Sequence, residues 1–368
     1  MYRLKHAIFL LIILMTVTSC EGLKESVSRL FETSARANYE RQFSGPDSLM
    51  TQWKKEFSLA GANSLEVADG FTFTAFSAAN HLYAYGYSLP LTQGDELRIT
   101  LSGHHPDTKF FIDVYSVDSS AEAPESELLK NGFFAKVMER TGVYRVIIQP
   151  EIMHQGDFTV SIYTQPSLGF PVARKGNKDA QSFWGAARDS GARSHEGVDI
   201  FAPRGTPVVA VTDGYITRTG NSGLGGKQVW QRDAMFGYSY YYAHLDSIIA
   251  TDGRQVKASD TIGLVGSTGN AEGGAPHLHF GIYGSGGAVD PYPFIRKRAV
   301  PSKSEAARPP GNSLEAGTNI RLGPGTEYGI AKTTSESSAV QVLAGNGKWY
   351  HIRLKDRSEG FVTVSGFR

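Results

Sequence analysis

Cysteine is all but missing from this chain of 368 residues. Only Cys20 is present, so no disulfide can form within the chain. An excess of one charge is missing too: Lys plus Arg total 37 and Asp plus Glu 36, with no long run of one sign. No overall field draws the protein to nucleic acid, and no charged tail is indicated. The apolar run from Ala7 to Met15 is too short to span a bilayer as a helix. No repeat recurs at a solenoid or propeller period. Gly225-Gly226-Lys227 continues into Gln228 without the upstream glycine of a phosphate loop, and there is no Gly-x-Ser-x-Gly elbow.

What is present points to a foldable chain of two or three domains, with 40% hydrophobic residues. The basic start (Arg3, Lys5) and short apolar run read as a secretory signal over 1–19. It ends Val17-Thr18-Ser19-Cys20, which resembles a lipoprotein box. Lipidation at Cys20 is expected, and Glu21 stands where an inner-membrane retention signal would carry aspartate. The expected address is the cell envelope: lipid-anchored, in the outer membrane and facing the periplasm. Residues 20–64, with Leu23, Val27, Leu30 and Phe31 at helical spacing, read as a lipidated N-terminus and helical stalk.

From 65 to 166, short alternating apolar runs such as Leu97 to Leu101 and Phe158 to Tyr163, divided by turns such as Thr92-Gln93-Gly94-Asp95, predict a β-sandwich of jelly-roll-like type. The proline-rich, charged stretch 298–311 reads as a linker that isolates a block at 167–297 from a tail at 312–368. The fold class expected is mainly β and multidomain, with a short N-terminal helical segment.

Histidine is concentrated in the central block, in SHEGVDIFAP, YYYAHLDS and PHLHF. In a strand, residues two apart share a face, so His277 and His279 point together while Leu278 points to the apolar side. His195 and Asp199 are also an even number apart, with Gly197 between them to let the backbone bend, and Tyr242 and His244 are expected on one face. Imidazole and carboxylate are zinc-site donors, and three protein ligands with one open position mark a catalytic rather than a structural site. His6, His81, His104, His105, His154 and His351 read as ordinary surface or hydrogen-bonded histidines. His195-Glu196 opens like the His-Glu-x-x-His of zincins, but Asp199 takes the fifth place and that pattern fails.

The block resembles the M23 family, the lysostaphin-like or LytM-type zinc endopeptidases that cut peptidoglycan cross-links. The match runs through His195 to Asp199, Ala202 to Val208, Asp213-Gly214, Tyr242 to Leu245, Ile262 to Gly269 and Pro276 to Phe280. The resemblance implies a lysostaphin-like antiparallel β-sheet domain with His195, Asp199 and His279 as zinc ligands. It implies His277 and His244 as the catalytic pair, His277 mainly carrying protons and His244 mainly binding the oxyanion. The implied reaction is hydrolysis of peptide cross-links by metal-activated water. Gly281, where many members carry glutamate, and the strand Gly225 to Trp230 depart from the family pattern. The tail, with Asn319-Ile320-Arg321, Gly323-Pro324-Gly325, Trp349-Tyr350 and Glu359 to Val362, resembles a bacterial SH3-like β-barrel, which implies wall binding. Two rivals remain: a LytM-type non-enzymatic regulator of other wall hydrolases, and an enzyme of the same mechanism acting on a glycine-rich protein.

Overall fold

The computed structural model describes residues 34–77, 82–118, 125–233, 237–302 and 306–368. The protein is mainly β. The signal, Cys20 and the start of the expected stalk lie outside the described residues, among which no helix is long and apolar enough to cross a membrane.

Helix α1 (Ala35–Gln42) is capped by Ser34, whose Oγ accepts from the Ala37 amide at 3.2 Å. Helix α2 (Asp47–Ala62) gathers Trp53, Glu56 and Ala60 on one buried face. From residue 34 on, therefore, the expected stalk is a layer of the β-sandwich. Trp53 packs edge-on against Phe111 and donates from Nε1 to the Pro150 carbonyl at 2.8 Å, while Arg36 pairs with buried Asp113 at 2.8 Å. An amphipathic helix carrying a tryptophan cannot leave that face in water, and the sandwich covers it.

One sheet of the sandwich runs in the order Tyr85–Leu91, Gly142–Pro150, Phe110–Ser116, Glu125–Leu128. The other contains Phe71–Ala75, Phe158–Pro166, Asp95–Ser102 and Phe133–Val137, and it does not stop there. Tail strand Gln341–Asn346 pairs antiparallel with Phe71–Ala75, so that five tail strands extend the sheet to nine. Leu343, Ala344 and Phe361 of the tail join the sandwich core. His351 is wholly buried between Tyr87 Oη at 3.0 Å and Glu359 at 3.2 Å, the structural role expected of it.

The expected linker is likewise laid down on the sandwich. Arg298 meets Asp95 at 2.8 Å, the Ala306 amide donates to Thr74 Oγ1 at 3.0 Å, and Arg308 meets Asp157 at 2.6 Å. Charge and proline hid these contacts from a reading based on apolar periodicity, because the segment docks through polar atoms.

The central block builds its own core on a sheet in which Ser239–Ala243, His277–Gly284, Val198–Phe201 and Ala180–Ser182 are successive neighbours. Val198, Ile200, Leu278, Phe280 and Ile282 are fully buried on one face. The block meets the sandwich at the Thr92–Asp95 turn. Gly94 has φ +91° there, and a Cβ on it would stand 2.3 Å from the Phe294 ring of the central block.

Candidate metal centre

Strand register places the first three residues. Asp199 pairs with His279 on one side and Ser182 on the other, so all three stand in a row on the open face of the sheet. His195 lies just before the Val198–Phe201 strand and is tied in place by backbone bonds to Ala186 and Gly185. Gly197, expected to let the backbone bend, does not have a left-handed conformation. It is needed for space instead: a Cβ there would be 2.5 Å from His279 Cε1. The spacing His-x-Gly-x-Asp thus lets a ring from the next strand lie over the backbone.

The three donors close a triangle. His195 Nε2, Asp199 Oδ1 and His279 Nδ1 are each 3.0 Å from the other two. His195 Nδ1 faces the Phe183 carbonyl at 3.0 Å, which fixes the proton of the neutral ring there and leaves Nε2 a lone pair. That lone pair confronts a carboxylate oxygen and a second imidazole nitrogen. One proton cannot bridge all three edges, whereas a cation can, and the donor set is one that zinc accepts. Among the described residues, these three form the His/Asp group able to hold a metal. Burial pushes the Asp199 carboxyl up, but the two imidazoles beside it, His195 and His279, outweigh it and hold the group far below the usual carboxylate range. Burial lowers His279 despite the nearby Asp199. Both residues favour the unprotonated form that a metal ligand needs.

His244 and His277 stand beside the triangle, their rings 5.0 Å apart and His244 5.9 Å from His279. Tyr242 and His244, expected on one face, are on opposite ones. Tyr242 is fully buried in the core, while Tyr241 and His244 line the groove. Strand alternation would have sent His244 into the core; its φ of +60° breaks the alternation and swings the ring to the open side. Its Nδ1 faces the Thr268 carbonyl at 2.9 Å, and His277 Nδ1 faces that of Ala275 at 2.9 Å. With Nδ1 committed, Nε2 is the proton-exchanging atom of each ring. Burial, with His277 close by, brings His244 down to about 4. A neutral His244 whose only N–H is given to Thr268 has none for an oxyanion. Its hydrogen bonds therefore favour a proton acceptor over the expected donor.

The five residues line one groove of about 490 Å³. Arg188, Arg193, Glu196, Leu224 and Asn270 also line it. Sequence reasoning passed over its aromatic wall, in which Tyr241 lies 4.5 Å from Trp230 and 5.8 Å from His279, and Tyr283 lies 5.3 Å from Trp230. Gly281 sits between Tyr241 and Tyr283, and a Cβ there would be 3.1 Å from the Tyr283 ring. The signal for this wall was present only as single aromatics on three neighbouring strands, Trp230, Tyr241 and Tyr283. Arg188, which touches Asp199 and Ser182, left no such signal.

Two imidazoles and a carboxylate closing a triangle, with two further histidines in the same groove, make a donor set able to hold a metal ion. Residues 193–291 match the model of Peptidase family M23, so the chain carries a domain of that family. It is 37% identical over 139 residues to the L-Ala–D-Glu endopeptidase of Bacillus subtilis (strain 168), covering 34% of this chain and 42% of that protein. It is 43% identical over 99 residues to the DD-carboxypeptidase/endopeptidase Mpg of Neisseria meningitidis serogroup B, covering 27% of this chain and 22% of that protein. Among solved structures, the catalytic domain of lysostaphin from Staphylococcus simulans is 35% identical, with 31% of this chain and 89% of that one covered and a TM-score of 0.29. The chain thus spans less than half the length of the first two relatives.

Proposed function

We propose that this protein is a zinc endopeptidase of the bacterial cell envelope that hydrolyses peptide cross-links of peptidoglycan. The observation that carries the reading is the triangle in which His195 Nε2, Asp199 Oδ1 and His279 Nδ1 are each 3.0 Å from the other two, with two more histidines in the same groove. His195, Asp199 and His279 would hold the metal. Zinc held there supplies a Lewis acid that activates water and polarises a carbonyl. The chain's own part is proton handling. His244, kept neutral, accepts the proton released as water oxygen attacks the amide carbon. His277, whose ring lies 5.0 Å from that of His244, passes that proton on to the amine as the C–N bond breaks. The presence of all five side chains supports an enzyme over a LytM-type regulator.

Glycan and peptide suit a groove with an aromatic wall, which supports the wall over a glycine-rich protein as substrate. Wall binding by the SH3-like tail and membrane anchoring through a lipid on Cys20 belong to the same proposal. Partners in wall synthesis are not specified by it. The test is mass analysis of muropeptides released from intact sacculi by the zinc-loaded protein. Release of cleaved cross-links is expected; zinc-loaded protein that releases none would leave the regulator. For the anchor, Cys20→Ala should free the protein from membranes, and wild-type protein found wholly soluble would end that part of the proposal.

A further inference from the structure

Only one oxygen of Asp199 faces the triangle, and the other is held elsewhere. Oδ1 is 3.0 Å from His195 Nε2 and from His279 Nδ1. Oδ2 accepts from an Nη of Arg188 at 2.5 Å. The same nitrogen donates to Ser182 Oγ at 2.7 Å, and that hydroxyl lies 3.4 Å from His195 Nδ1. Register accounts for the layout, since Ser182 is the cross-strand partner of Asp199 on the side away from His279. Arg188 reaches the row from a short hairpin in which Ala187–Arg188 pairs with Arg193–Ser194. It is two-thirds covered, and the Asp199 side chain is 9% exposed, so the pair is not a surface ion pair of negligible worth.

A carboxylate with both oxygens available can take a cation through either or both. A guanidinium on one oxygen leaves a single donor with fixed direction. We propose that Arg188 is a positioning residue that makes Asp199 a one-oxygen metal ligand and, through Ser182, steadies the His195 ring. The proposal rests on the metal-centre reading. Its charge also offsets that of Asp199, so the site attracts electrons from a bound carbonyl more strongly than two imidazoles and a free carboxylate would allow.

Cobalt(II) in place of zinc reports ligand number, because its visible absorption weakens when a fifth donor joins a four-coordinate site. Arg188→Met is expected to weaken that absorption, to loosen zinc about 10–100-fold in chelator competition, and to lower kcat with little change in KM. Arg188→Lys, which keeps a cation, should recover part of each loss. Should the methionine variant not fold by circular dichroism, Arg188→Gln, too short to hold Oδ2 and Ser182 together, carries the same expectations. A folded Met or Gln variant with the wild-type cobalt spectrum and zinc affinity overturns the proposal. So does a raised KM at unchanged kcat, which would make Arg188 a substrate contact. A wild-type chain that takes up no cobalt overturns the metal-centre reading, and this proposal with it.

Discussion

At the scale of single residues, the proposed function separates groups that would hold a cation from groups that would move protons. His195, Asp199 and His279 share one point in space, so replacing any of them by alanine removes a donor from a triangle with sides of 3.0 Å. Each of these variants is expected to lose bound zinc and activity together. His244→Ala and His277→Ala should keep zinc, read by metal analysis after dialysis, and lose turnover by about 10²–10⁴-fold, the usual worth of a positioned acid or base. Metal lost from His277→Ala but kept by His279→Ala would reverse the assignment. Gly197 offers a sharper test, because it does no chemistry. A methyl group there meets His279 Cε1 at 2.5 Å and the Phe280 carbonyl at 2.8 Å. Gly197→Ala should cost about 1–3 kcal/mol of stability by overpacking and weaken zinc binding, as read by thermal unfolding with and without metal. Zinc affinity equal to wild type would show that the His279 ring has room to yield.

At the scale of elements, the legible part of the sequence was what periodicity controls. His277 and His279 alternate with Leu278 and Phe280, and the structure puts the first pair on the open face and the second in the core. Period two needs only a strand, and the strand formed. His244 could not be placed in this way, since the left-handed φ that redirects it belongs to the junction between Ser239–Ala243 and Leu245–Ile248. Arg188 escaped for a related reason: its role depends on a hairpin return and a cross-strand neighbour, neither of which is periodic. The tail was legible as strands but not as a partner, because an edge strand shows no sign of what it will pair with. This has a measurable outcome. A chain truncated after Ser302 removes Leu343, Ala344 and Phe361 from the sandwich core and leaves Phe71–Ala75 an open edge. It is expected to lose several kcal/mol of sandwich stability, at about 2–5 kcal/mol for each large apolar side chain withdrawn, and to aggregate, while the central block keeps its metal. Unfolding of the sandwich at wild-type denaturant concentration would show instead that the tail is an appendage.

At the scale of the whole molecule, helix, sandwich and tail are joined by one buried polar network, and its charge state decides whether they stay together in acid. Arg353 of the tail bonds Glu359 at 2.7 Å and Glu56 of α2 at 2.7 Å, while Asn63, just beyond α2, donates to Glu359 at 2.8 Å. His351 joins Glu359 to Tyr87 of the sandwich. Burial pushes the Glu359 carboxyl up, but the hydrogen bond and charge of His351 and the charge of Arg353 prevail and leave it below its ordinary value of 4.5. A carboxyl depressed in the folded state adds stability that is complete above its unfolded value and is lost as pH falls through the folded one. The network should therefore hold at pH 7 and weaken progressively below about pH 4.5. Glu359→Gln removes the titrating group while keeping its shape and one acceptor. At pH 7 it should cost up to about 3–5 kcal/mol, since it leaves part of the Arg353 charge buried without its partner. As pH falls below about 4.5 the gap between variant and wild type should narrow, because the unfolded wild type then takes up the proton that the folded network resists. The measurement is urea unfolding followed by tryptophan fluorescence, Trp53 and Trp349 both lying within the joined body. A gap between the two proteins that stays constant from pH 7 to pH 3.5 would mean that Glu359 contributes packing rather than charge to the union of tail and sandwich.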